Sequence, residues 1–61
     1  MTLTTRQAAE LAGITPASFR REMHRERGRG RDYRAPAEVW PDARTPLWNR
    51  QAVEAWLAGR R

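Results

Sequence analysis

Ile14-Thr15-Pro16-Ala17-Ser18-Phe19-Arg20-Arg21-Glu22-Met23-His24-Arg25-Glu26-Arg27 carries the start signals of a helix and two unlike faces. Thr15 is a good N-cap, because its hydroxyl can accept a bond from an otherwise orphan backbone N–H. Pro16 then falls at the first helical position, where its missing N–H costs nothing and its fixed φ helps. Ile14 and Phe19 occupy the two positions of a hydrophobic staple, which sets how the chain enters the helix. Phe19 and Met23 stand four apart and share a buried face. Ser18, Arg20, Arg21, His24 and Arg25 point elsewhere. Four of those five donate hydrogen bonds at any pH, and His24 does so according to its tautomer or charge. An apolar seam backed by a donor-rich face suits the major groove of DNA.

The residues upstream extend the reading. Ala9, Gly13 and Phe19 have the spacing of a helix-turn-helix. The small Ala9 lets two helices approach, and Gly13 can take the left-handed conformation that ends the first of them. An ordinary corner between two helices is the competing reading; the basic face favours DNA. Thr4 is the expected N-cap of the first helix, with Gln7 completing a capping box and Leu3 and Ala8 as its staple. Ala8, Leu11 and Ala12 form its apolar stripe. This helix, expected over 5–12, is too short to stand alone and must dock on the second, expected over 16–27. Arg6 and Gln7 lie in its first turn, where one phosphate contact or a solvated surface are equally good readings.

Composition limits the possibilities. Sixty-one residues make one small domain, 1–61, with little core to bury. There is no cysteine, which excludes a disulfide framework and a thiolate metal site and fits the cytoplasm. No apolar run approaches membrane-spanning length, and no signal peptide is visible. The formal charge is +5, and all twelve basic residues are arginines. Such charge favours a polyanionic partner without conferring sequence specificity. Codon bias in a GC-rich genome explains the absence of lysine better than a functional demand for arginine does. With one histidine, beside Glu22 and Glu26 on a helix surface, neither a metal site nor a nucleophile with its base can be assembled. No enzyme activity and no cofactor are expected.

Downstream, Arg27 to Arg34 alternates arginine with glycine and cannot hold a regular element. It reads as a mobile basic loop, with Arg29 and Arg31 following a phosphate backbone or entering a minor groove. Without an Arg-Pro step it is not an AT-hook. A small β-hairpin is expected over 38–48, from Glu38-Val39-Trp40 and Thr45 to Trp48. Its turn is Pro41-Asp42-Ala43-Arg44, with Arg44 near the tip in reach of a phosphate. Pro36 and Pro46 restrict both strands to edges. Trp40 reads as core cover. Asn49 caps a third helix, expected over 50–58, with Trp48 and Val53 as staple, Val53, Trp56 and Leu57 buried, and Gly59 at its end. Trp48 and Trp56 read as core rather than as platforms for bases.

The order of elements, together with Leu-Thr-Thr-Arg-Gln-Ala-Ala-Glu-Leu-Ala-Gly-Ile-Thr-Pro-Ala-Ser-Phe-Arg-Arg (3–21) and Leu-Trp-Asn-Arg-Gln-Ala-Val-Glu-Ala-Trp-Leu-Ala (47–58), resembles the MerR-like winged-helix domain of phage excisionases. The resemblance spans nearly the whole chain. It implies a mostly α fold with a small β-hairpin: a winged helix-turn-helix. In that family the second helix enters the major groove and the wing touches the adjacent minor groove or backbone. By position this implies DNA contacts from Ser18, Arg20, Arg21 and His24 or Arg25, and from Arg44 on the wing. The chain departs from the family in its longer Arg/Gly loop and in Glu22, where many relatives carry an aromatic residue.

Full-length MerR regulators add a dimerisation helix and an effector domain, neither of which is expected here. The resemblance therefore implies an excisionase, or recombination directionality factor, at the nucleoid of a bacterial host. Such proteins bind double-stranded DNA at repeats beside a phage attachment site, bend it and assist the integrase. A single domain buries a modest DNA interface, so several copies in head-to-tail contact are expected. The alternatives are a small transcription regulator, the DNA-recognition domain of a terminase small subunit, and a protein-interaction module such as an anti-repressor.

Overall fold

The computed structural model describes residues 1–60. Its elements run β1 (Thr2–Thr4), α1 (Thr5–Ala12), α2 (Pro16–Gly28), a 3-10 turn (Ala37–Val39), β2 (Leu47–Asn49) and α3 (Arg50–Arg60). The fold is mostly α, with three helices beside a two-stranded antiparallel sheet. Arg61 lies outside the described residues.

Local chemistry fixes the first two helices. The Thr4 hydroxyl accepts from the Gln7 N–H at 3.1 Å, and Gln7 Oε1 accepts from the Thr4 N–H at 2.9 Å, a complete capping box. Gly13, at φ 72°, ends α1. Its N–H donates to the Glu10 carbonyl and the Ile14 N–H to the Ala9 carbonyl, the paired bonds of a Schellman motif. Thr15 then caps α2 through the Ser18 N–H at 3.1 Å, with Pro16 following. The same device closes α2. Gly30, at φ 83°, donates to the Arg27 carbonyl, and Arg31 donates to that of Glu26.

These stops aim both helices at one core. Leu3, Ala8, Ala9, Phe19, Met23, Trp48, Val53 and Trp56 form a single buried cluster. Phe19 is its centre: its ring meets Trp48 edge-on at 4.9 Å and Trp56 edge-on at 5.8 Å between centroids. Trp48 spends its polar atom on Thr5, its indole N–H donating to Oγ1 at 2.9 Å. Ala8 and Ala9 are the side chains α1 buries, which allows α1 and α2 to pack closely. Leu11, expected in that stripe, is 40% exposed. The buried side of α1 is centred on Ala8 and Ala9, which turns Leu11 to its flank, beside Glu54, Leu57 and Ala58 of α3.

The sheet departs from the expected hairpin. β2 pairs with β1, in the register Thr2–Asn49, Leu3–Trp48 and Thr4–Leu47. On its other edge Arg34 bridges Trp48, where Ala35 N–H donates to Leu47 O at 2.8 Å and Asn49 N–H to Tyr33 O at 2.9 Å. Residues 38–40 therefore form no strand; residues 33–35 hold that place. Between them and β2 runs a loop over 36–46. Three prolines deprive this loop of ladder donors. Asp42 turns it, accepting from the Arg44 N–H and the Thr45 hydroxyl. Trp40 folds back so that its indole N–H donates to the Ala35 carbonyl at 3.0 Å. It braces the loop from outside the main core.

Asn49 caps α3 through the Ala52 N–H at 3.0 Å. α3 does not stop at Gly59 but runs to Arg60. Arg60 gives it a reason to continue, lying over the Trp56 ring at 4.7 Å and pairing with Glu22 of α2 at 3.7 Å.

Candidate nucleic-acid interface

A helix advances about 100° per residue, so the burial of Phe19, Met23 and Glu26 assigns the outer face of α2. That face carries Ala17, Arg21, His24, Arg25 and Gly28, flanked on one side by Arg20 and Arg27. Ala17, Arg20, Arg21, His24, Arg25 and Arg27 line one shallow open depression. Ala17 and Gly28, its two smallest residues, stand at opposite ends of the face, with the cationic side chains between them. At thirteen residues α2 is about 20 Å long, ample for a groove about 12 Å wide.

Charge pairing singles out this face. Every carboxylate except Glu38 and Asp42 lies within 4.0 Å of an arginine among the described residues: Glu10 with Arg6, Glu22 with Arg25 and Arg60, Glu26 with Arg29 and Arg31, Asp32 with Arg34, and Glu54 with Arg50. Arg20, Arg21, Arg27 and Arg44 are left without a carboxylate within that distance among the described residues. Three of these four lie on α2. An exposed ion pair contributes little to stability, but it does neutralise a cation that a polyanion would otherwise meet. The arginines without a carboxylate partner are therefore concentrated along the solvent side of α2.

The other expected contact residues are placed as follows. Ser18 is half-buried at the edge of the face, its Oγ accepting from Thr15 Oγ1 at 3.0 Å and from Arg21 Nη2 at 3.2 Å. His24 is exposed, and Arg25 leans on Glu22 at 3.7 Å. Arg6 is exposed on α1 and pairs with Glu10 at 3.6 Å. Arg44 is exposed on the 36–46 loop.

Arg29 and Arg31 do not lie on a free arm. Both turn back to Glu26, at 3.1 and 3.5 Å. Glu26 is 6% exposed, the one buried charged residue among those described. The Tyr33 hydroxyl donates to its Oε1 at 2.9 Å. This hydrogen bond holds the Glu26 carboxyl below its ordinary range, with Arg31 and Arg29 adding to the effect and burial opposing it. Burial in turn raises the Tyr33 phenol, helped by the bond to Glu26. Next along, Arg34 grips Asp32 with side-chain bonds of 2.7 to 3.2 Å and lowers its carboxyl to about 2. The expected mobile loop is thus a folded return from α2 to the sheet, organised by one buried carboxylate. Sequence reasoning missed Glu26 as that centre. Its signal was position: three residues after Met23 and seven after Phe19, it falls on the apolar face of α2.

Among the described residues no group of three or more His, Cys, Asp or Glu side chains is arranged to hold a metal ion, and no helix is long and apolar enough to cross a membrane. Comparison of the chain with protein-family models, curated proteins and solved structures finds no match.

Proposed function

We propose that this protein binds double-stranded DNA, with α2 in the major groove. The observation that carries the reading is the solvent side of α2, where Arg20, Arg21 and Arg27 have no carboxylate partner among the described residues while Phe19 and Met23 anchor the helix in the core. Arginine suits both targets in a duplex, gripping phosphate and pairing with guanine through its planar fork. In this reading the arrangement is a winged helix. The wing is the 36–46 loop mounted on residues 33–35 and β2, and it offers Arg44 to the backbone beside the groove. Arg29 and Arg31 share the single negative charge of Glu26, so together they keep one net positive charge for phosphates at the C-terminal end of α2.

The biological role we propose is that of an excisionase: an accessory protein that binds attachment-site repeats cooperatively, bends them and directs an integrase toward excision. The resemblance of residues 3–21 and 47–58 to that family supports it. One domain of this size covers too little DNA for tight binding alone, which favours action in tandem copies.

Electrophoretic titration of random-sequence duplexes at two salt concentrations, with sequencing of the retained DNA, tests both levels. DNA binding requires shifts that weaken with salt and are lost in the Arg20→Ala/Arg21→Ala/Arg27→Ala variant. Stepwise cooperative shifts on tandem copies of the selected site are the excisionase result, and a single shift is that of a simple regulator. No shift at low salt overturns the DNA reading and brings a protein-interaction module forward.

A further inference from the structure

We infer that Arg21 is the base-reading residue of α2, its target a guanine, and that Ser18 is the residue that positions it; this rests on the DNA-binding reading above. The observation is a chain of hydrogen bonds climbing the first turns of α2. The Ser18 N–H donates to Thr15 Oγ1 at 3.1 Å, the Thr15 hydroxyl donates to Ser18 Oγ at 3.0 Å, and Arg21 Nη2 donates to the same Ser18 Oγ at 3.2 Å. Thr15, Ser18 and Arg21 are each three residues apart, so they stand one above another along the helix.

The donor count leaves one proton over. A serine hydroxyl has two acceptor lone pairs and one proton. Arg21 Nη2 takes one Ser18 lone pair, and the Thr15 and Ser18 hydroxyls share a single bond, which uses one of their two protons. The other hydroxyl proton of this pair is left for an outside acceptor, beside the remaining N–H groups of the Arg21 guanidinium. Guanine offers two acceptors, N7 and O6, on its major-groove edge, and arginine is the side chain that meets both.

Arg21 is set apart from its neighbours by this contact. Among the described residues, the side chains of Arg20 and Arg27 have neither a hydrogen bond nor a carboxylate partner. They are free to follow phosphates, whose positions vary little with sequence. A guanidinium already held in one direction loses less freedom on binding and tolerates less displacement of its target. That is what base discrimination requires. Position agrees: Ser18 and Arg21 are the third and sixth residues of α2, in the N-terminal half that contacts base edges when a recognition helix enters the major groove.

The test is selection from random duplexes by the wild-type chain, followed by affinity measurements on the selected and on random duplexes for Ser18→Ala, Ser18→Thr, Arg21→Ala and Arg21→Lys. Ser18→Ala keeps the backbone N–H that Thr15 accepts, so the helix cap survives; circular dichroism checks the fold. The selected site should contain a G·C pair whose replacement costs the wild type roughly 5- to 150-fold in affinity. Arg21→Ala and Arg21→Lys should abolish that preference. Ser18→Ala should reduce it at the same pair, with affinity for random duplexes and the salt dependence held, and Ser18→Thr should restore it. If Ser18→Ala leaves the preference intact, or weakens selected and random duplexes equally, the positioning role is overturned while DNA binding stands. If the wild type binds no duplex, both fall.

Discussion

Removing the two unpaired arginines that flank the Ser18–Arg21 contact should change how binding responds to salt by a calculable amount. The perturbation is Arg20→Ala with Arg27→Ala. Neither guanidinium has a carboxylate within 4.0 Å among the described residues, so their loss orphans no buried acid and breaks no ion pair among those residues. Each arginine that neutralises a phosphate releases about 0.9 counterion equivalents, so the double variant should flatten the plot of log affinity against log salt by about 1.8. Between about 50 and 200 mM salt, the wild type should then lose roughly twelvefold more affinity than the variant. Fluorescence anisotropy of a labelled duplex across that range measures the slope directly. Arg34→Ala is the control, because its guanidinium is spent on Asp32; its slope should match the wild type. An unchanged slope in the double variant would refute the assignment of Arg20 and Arg27 to phosphates.

The remaining expectations concern the scaffold. Phe19→Ala empties the fully buried centre of the core and breaks both edge-on contacts with tryptophan. Its cost of about 3–5 kcal/mol compares with a total stability of roughly 3–9 kcal/mol for a chain this long, so tryptophan fluorescence in urea should show a largely unfolded protein. A transition near that of the wild type would contradict the core described here. Gly13→Ala has open space for its methyl group but must adopt φ 72°, so backbone strain alone should cost about 1–2 kcal/mol in thermal unfolding. A neutral result would remove the left-handed stop from its role. Glu26 and Asp32 both have carboxyls lowered in the folded state, so the native protein binds fewer protons than the unfolded chain. Their stabilisation is complete above about pH 4.5 and is lost as pH falls toward 2. Urea midpoints should therefore drop on acidification, less so in Glu26→Gln, and a midpoint that rises would refute the sign.

The helices were legible because their signals are local. Thr4 with Gln7, Thr15 with Pro16, and Gly13 each act within a few residues, and α1 occupies the expected 5–12. The outer and inner faces of α2 follow from the spacing of Phe19 and Met23 in the same way. What lay beyond reach depends on distant partners. β1 has three residues, too few to display a period, and becomes a strand only because β2 arrives beside it. Glu38-Val39-Trp40 has strand-like composition, yet Pro36 and Pro41 bracket it, and 33–35 pairs with β2 instead. Gly30 was readable as a second stop of the Gly13 kind, which would have made the Arg/Gly segment a helix end rather than a free arm. Glu26 needed Tyr33, Arg29 and Arg31 to return to it before its burial made chemical sense. Leu11 illustrates the reverse error, an apolar residue at helical spacing left 40% exposed because the buried side of α1 is centred on Ala8 and Ala9.

If α2 is the surface that meets DNA, its solvent side should respond when a duplex is added. Amide chemical-shift mapping of the labelled protein, titrated with a duplex at low salt, reads that response residue by residue. The largest changes should fall on residues 15–28, with smaller ones on the loop around Arg44 and near Arg29 and Arg31. Changes concentrated instead on the outer sides of α1 and α3, around Glu10, Leu11 and Glu54, would contradict this placement.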